Sequence, residues 1–169
     1  EGAIPALCEY FNDVDDHEVL SHIAWALSYI STMEEGVDSI LNEDVTSRLV
    51  SLLNHSSLTI AAPCLRIIGN IVSCSHEQTA GIIKEKELFP TLLKFMTHEK
   101  KIFRKETLWI LSNITAGLPA QYEKIMGNPA FVEKILDAVK DDDPEIIKKL
   151  CMSYQIRHQK VLPPKLRDY

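Results

Sequence analysis

The chain repeats itself, and this constrains its fold more than any single motif. The stretches IAWALSYIS (23–31), CLRIIGNIVS (64–73) and TLWILSNITA (107–116) superimpose. One column then holds Trp25, Arg66 and Trp109 at steps of 41 and 43, and a further step of 41 reaches Leu150. Four residues on, a second column reads Tyr29, Asn70, Asn113 and Tyr154. A separate part of the unit keeps the same period, because Leu7, Leu49, Leu92 and Ile135 follow one another at steps of 42, 43 and 43.

Within each unit the apolar residues recur at three and four, as in Leu65, Ile68 and Ile71 or Leu108, Leu111 and Ile114. That is the period of a helix buried on one side. No segment alternates as a strand would. Helix breaks are expected at Gly36, at Ser56-Ser57, at Gly117 with Pro119, from Gly127 to Pro129, and from Asp141 to Pro144. Each full unit therefore reads as one short helix and two longer ones. A unit of this length with two or three helices belongs to the armadillo or HEAT class, in which one repeat cannot bury its own face and neighbours stack. The expected fold is all-α, an armadillo-repeat right-handed superhelical solenoid. Its units run from 1 to 32 (partial, opening on a middle helix), 33 to 74, 75 to 117 and 118 to 157 (divergent), with a tail from 158 to 169.

A chain of 169 residues, 46% hydrophobic, is long enough to bury a core. Its net charge of −6 argues against a nucleic-acid binder, which would show a basic face for phosphate contacts, and suits a basic partner better. Cys8, Cys64, Cys74 and Cys151 have no C-x-x-C or Cys/His spacing, so they read as reduced thiols and no metal or cofactor is expected. No run of 18 apolar residues and no leader segment is present, which excludes a membrane partner and makes the chain read as cytosolic or nuclear. His17, His22, His55, His76, His98 and His158 form no ligand spacing, and no phosphate loop or nucleophile motif appears. An enzyme is not expected.

The two columns carry the chemistry. On a helix, Glu106, Trp109 and Asn113 share one face, with Ser112 beside it, and Arg66 and Asn70 repeat that stripe one unit earlier. An asparagine amide donates to and accepts from a peptide backbone at once, which holds an extended chain without reading its sequence. A tryptophan face supplies a wall for the stem of Lys or Arg and a cation-π attraction of about 0.5 to 2 kcal/mol. Glu106 accepts the charged tip. A tryptophan on an apolar helix is ordinarily core, but a core column holds aliphatics, and this one reads Trp, Arg, Trp. For Trp109 and Asn113 the groove is therefore favoured; for Trp25 and Tyr29 core and groove stay equally open.

At these residues the sequence resembles the importin-alpha family. WALSY, LRIIGNIVS with EQT behind it, and RKETLWILSNITAG look like successive middle repeats of that family, about the fifth to eighth, and Pro63 matches its proline. The resemblance is strong over residues 1 to about 126. It implies a nuclear import adaptor of cytoplasm and nucleus that binds Lys/Arg-rich nuclear localisation signal peptides, extended along the concave groove, mainly in the minor-site region. Carried over by position, Asn70 and Asn113 clamp the peptide backbone, Trp109 flanks a basic side chain, and Glu106 with Ser112 helps hold its charge. Val72, Ser73 and Thr79 line a lysine pocket where helix-end carbonyls favour a cation, while Arg66 stands in for tryptophan. Trp25 and Tyr29 complete the set. The family also implies importin-beta as partner, through a basic segment not among these 169 residues.

Departures from the family are visible. Leu150, Tyr154 and Ile147 deplete the fourth unit, Cys74 replaces a glycine, and RHQKVLPPKLRDY has no family counterpart. That tail reads as a chain end, although Lys160, Lys165 and Arg167 give it a cargo-like charge. The competing reading is an armadillo scaffold for another extended partner. A groove lined with Lys and Arg would favour an acidic one, and here only Arg66 is basic in the column.

Overall fold

The computed structural model describes residues 2–141, and within them every regular element is a helix. In chain order these are α1 (Ala3–Asp13), α2 (His17–Ile30), α3 (Glu34–Leu41), α4 (Thr46–Leu52), α5 (Leu58–Ser73), α6 (His76–Ile82), α7 (Leu88–Phe95), α8 (Lys101–Ala116), α9 (Pro119–Met126) and α10 (Pro129–Asp141). The expected fourth-unit residues Ile147, Leu150 and Tyr154, together with the tail, lie outside the described residues.

Helix starts follow local chemistry. Asp16 caps α2 by accepting from the backbone N–H groups of Glu18 and Val19, both at 3.0 Å. Ser75 and Gln78 form a reciprocal capping box at α6. Pro119 opens α9 and Pro129 opens α10, where a missing N–H removes no helical bond. The turns before α5 and α8 use a histidine instead: His55 Nδ1 accepts from Ser57 N–H and His98 Nδ1 from Lys100 N–H, both at 3.0 Å.

Two expectations need correction. The middle helices α4 and α7 span only seven and eight residues, so these units hold two short helices and one long one. Gly36 does not end a helix but lies inside α3. A Cβ there would stand 2.1 Å from the backbone oxygen of Ile30, so the residue is small because the start of α3 presses on the end of α2.

The chain divides into two compact units, one ending at Thr91 and the other beginning at Leu92. In the first, α5 is the central element and touches α2, α4 and α6. Ile60, Leu65, Ile67, Ile68 and Ile71 on α5 are fully buried, along with Leu27 of α2 and Leu49 of α4. Burying one such side chain contributes about 1.5 to 3 kcal/mol. Pro63 sits within α5 and cannot donate to the carbonyl of Thr59 four residues back. The hydroxyl of Ser21 on α2 takes that carbonyl at 3.2 Å, so the gap becomes an interhelical bond. In the second unit α8 packs on α9, and α9 on α10. Phe95 and Phe103 meet edge to face at 5.0 Å, with the ring of His98 4.6 Å from Phe103. Leu108, Ile110, Leu111 and Ile114 of α8 are buried with Ile125 and Phe131.

Candidate functional site: exposed stripes on the long helices

The long helices are apolar around most of their circumference, and each leaves one stripe open. On α2 the first turn is open at His17, Glu18 and Val19, and from Glu18 the exposed positions His22, Trp25 and Tyr29 follow at four, three and four. On α5 the open positions include Thr59, Ala62, Arg66, Asn70 and Ser73. On α8 they include Lys105, Glu106, Trp109, Asn113 and Ala116, all half-buried. The spacing of three and four confines them to one face, the pattern of a helix buried on its other sides.

The stripes decide which expected residues face outward. Trp25 is 41% exposed and Tyr29 69%, their ring centroids 6.2 Å apart, so this pair is not core. Arg66 is exposed, as a guanidinium on an otherwise buried helix must be. Trp109, Asn113 and Glu106 share one open face. Ser73 is exposed as well, although its hydroxyl donates to Gly69 O at 2.7 Å within the helix.

Three expected contact residues lie behind the stripes instead. Ser112 is only 5% exposed and donates to Trp109 O at 2.8 Å, because position 112 turns toward the packed side of α8. Val72 is buried at the end of α5. Thr79 is buried too, its hydroxyl 2.9 Å from Ser75 O and 3.5 Å from Val72 O. Packing therefore covers the side chains of Val72, Thr79 and Ser112, which leaves the backbone there as the more open part.

The end of α5 is nonetheless electronegative. Burial raises the thiol pKa of Cys74 from the ordinary 9.0, and the nearby carboxylates of Glu34 and Asp38 raise it further. The Cys74 Sγ lies 3.3 Å from Asn70 O and occupies space that a glycine would leave open. Asp38 accepts from the Gln78 side chain. Helix-end carbonyls and two acids together favour a cation.

In the first unit α2 and α5 run parallel. Ser21 near the start of α2 bonds the start of α5, and Ser31 just past the end of α2 bonds Asn70 near the end of α5. The stripe of Arg66 and Asn70 thus lies alongside the helix that carries Trp25 and Tyr29. Asn70 donates from its amide nitrogen to Ser31 Oγ at 2.9 Å and to Ser28 O at 3.4 Å. Sequence reasoning passed over Ser28 and Ser31. The signal was present, since TLWILSNITA carries Ser112 and Thr115 at the positions that Ser28 and Ser31 hold in IAWALSYIS.

Comparison with known proteins agrees with the helical repeat. An Armadillo/beta-catenin-like repeat profile matches residues 1–32. Importin subunit alpha-1a of Oryza sativa subsp. japonica is 40% identical over 126 residues, covering 73% of this chain and 24% of that protein. Importin subunit alpha-4 of Arabidopsis thaliana is 41% identical over 115 residues, covering 68% and 21%. The chain spans about a quarter of the length of these relatives. A computationally designed armadillo repeat protein for modular peptide recognition superposes with a TM-score of 0.80 at 23% identity, over 90% of this chain and 63% of its own. A designed armadillo repeat protein in complex with the peptide (KR)4 superposes with a TM-score of 0.75 at 20% identity, over 99% and 78%. The fold is that of armadillo repeats. Among the described residues no helix is long and apolar enough to cross a membrane, and no cluster of His, Cys, Asp and Glu is arranged to hold a metal ion.

Proposed function

Because this chain is an importin-alpha homologue with the armadillo fold, we propose that it is a stretch of a nuclear import adaptor that holds Lys/Arg-rich nuclear localisation signals in the extended conformation. The observation that supports this most is the open stripe of α8, where Trp109 and Asn113 lie one turn apart with Glu106 on the same face. Asn113 bonds the peptide backbone, Trp109 walls the aliphatic stem of a basic residue, and Glu106 takes its charge. Asn70 and Ser73 act on α5, where Arg66 lines the groove and opposes a basic side chain by its charge, with Trp25 and Tyr29 on α2. Val72, Thr79 and Ser112 shape the surface from behind. These residues correspond to the minor-site region of the family. Cargo peptides are the partners within this chain, importin-beta binds through a segment outside it, and the protein works in cytoplasm and nucleus.

The reading has a chemical logic. A basic peptide meets a chain of net charge −6, and backbone bonds tolerate many sequences while the aromatic walls select long cationic side chains. Few such contacts hold the peptide, so an affinity of about micromolar or weaker is expected.

The exposed guanidinium of Arg66 favours a second reading, an armadillo scaffold for an acidic extended partner. Fluorescence anisotropy with a Lys/Arg-rich peptide and a Glu/Asp-rich peptide of equal length separates the two. The adaptor reading expects the basic peptide to bind at least about tenfold more tightly at low salt, with the margin shrinking as salt rises. Equal or tighter binding of the acidic peptide would reject the adaptor in favour of the scaffold.

A further inference from the structure

Asn70 is held in one polarity, and the residue that holds it lies on the neighbouring helix. Resting on the peptide-binding reading above, we infer that Ser31 is a positioning residue that makes Asn70 a one-way reader of peptide backbone. The amide nitrogen of Asn70 is committed to the α2 side, and its Oδ1 is presented to a peptide N–H.

The polarity follows from which groups are able to accept. The Ser31 hydroxyl carries a single proton, and it donates that proton to Ser28 O at 2.9 Å. It therefore meets Asn70 with a lone pair. The backbone oxygen of Ser28 is also an acceptor only. Of the two ends of the Asn70 amide, the nitrogen alone satisfies both, at 2.9 Å to Ser31 Oγ and 3.4 Å to Ser28 O. The network thus fixes the amide orientation through chemistry rather than through the shape of the group.

Both amide protons of Asn70 then have an acceptor, and among the described residues nothing donates to its Oδ1. The side chain is half-buried on the open stripe of α5. Ser31 itself is 2% exposed, so water does not compete for its lone pair. The Ser28 hydroxyl in turn donates to Trp25 O at 2.7 Å, which ties the network to the turn of α2 that carries the aromatic pair.

A free asparagine would donate and accept along a peptide. Asn70 offers only an acceptor, so the residue opposite it must carry a backbone N–H. Proline or an N-methylated residue is excluded at that one position, and this adds a local selectivity to an otherwise sequence-tolerant clamp. Ser31 touches no ligand in this scheme and acts through Asn70.

Two measurements on the 169-residue chain test the inference. The side-chain amide of Asn70, assigned in a 15N-labelled chain by its loss in Asn70→Ala, is expected to exchange with solvent about tenfold more slowly than a free asparagine amide. Ser31→Ala is expected to remove that protection while leaving the helical circular dichroism unchanged, and Ser31→Thr, which keeps the hydroxyl, to retain it. Unchanged protection in Ser31→Ala would overturn the positioning role.

The second measurement scans a Lys/Arg-rich peptide with single N-methyl groups. One position is expected to lose about tenfold in affinity for the wild type and about twofold or less for Asn70→Ala and Ser31→Ala. If Asn70→Ala weakens the parent peptide yet no single N-methyl group costs more than about twofold, the one-way reading is wrong. If the wild type binds no basic peptide, the adaptor reading falls, and the exchange measurement alone decides the polarity of Asn70.

Discussion

Helices α5 and α8 are both sixteen residues long and keep the same register, yet they divide their surfaces differently. On α5 ten residues are buried, and the open stripe carries one arginine and one asparagine whose amide protons are already committed to the α2 side. On α8 eight residues are buried, the first turns carry Lys101, Arg104, Lys105 and Glu106, and the stripe keeps a tryptophan with its asparagine. The repeat sets where a stripe runs, and the few residues on it set its chemistry. The first helix spends more of its surface in packing, and the second keeps more of it open.

The largest effect that separates these roles is in the core. Ile68→Ala on α5 is expected to cost about 2 to 5 kcal/mol of stability by removing buried apolar surface and leaving a cavity. Denaturant unfolding checks this, and Trp109→Ala on the α8 stripe is expected to cost clearly less in the same assay. A similar loss for both would erase the distinction between core and contact.

Ser21→Ala comes next. It leaves the Thr59 carbonyl, already missing its helical donor because of Pro63, without its interhelical partner, and is expected to lower stability by about 0.5 to 1.5 kcal/mol. The same unfolding experiment reads it. A double change with Pro63→Ala should show the two effects to be coupled, since that substitution restores a backbone N–H able to serve the Thr59 carbonyl.

Arg66→Ala should act on affinity instead. Removing a cation from the α5 stripe is expected to tighten a Lys/Arg-rich peptide about two- to threefold at low salt, with no effect at high salt where exposed charges are screened. Peptide titration at two ionic strengths checks the sign. Weaker binding would mean that Arg66 is a contact the peptide needs.

The smallest effect is in the thiols. Burial is the main reason the Cys8 pKa is pushed up to about 11 and that of Cys64 to about 12. Because both are raised in the folded state, their contribution to stability is constant below the ordinary value of 9.0 and declines as pH rises above it, when the unfolded chain ionises first. Thiol-reagent kinetics at about pH 8, just below the ordinary thiol range, should show both reacting slowly until the chain unfolds.

The fold was legible because the repeat is. Columns at steps near 42 and apolar spacing of three and four leave little besides stacked helices, and Trp25, Arg66 and Trp109 all lie on open faces as one column should. Gly36 misled because a small residue demanded by close approach looks in sequence like one that breaks a helix. The burial of three other side chains was not legible. Ser112 was placed beside the stripe by sequence adjacency and Val72 and Thr79 were carried over from the family resemblance, but a shift of one position on a helix turns a side chain by about 100°, enough to carry it from the surface into packing. Ser31 escaped notice because its partner lies 39 residues away, and only coordinates show a hydroxyl proton already committed to Ser28.

The central claim is that Trp109 and Asn113 face a ligand rather than the core. Titrating a fluorescent Lys/Arg-rich peptide against the wild type and against Trp109→Ala/Asn113→Ala, with unfolding curves for both, tests it most directly. The account expects about a tenfold or greater loss of affinity with a change in stability of about 1 kcal/mol or less. Equal affinity in the two proteins, or a double variant that loses several kcal/mol of stability, would contradict it.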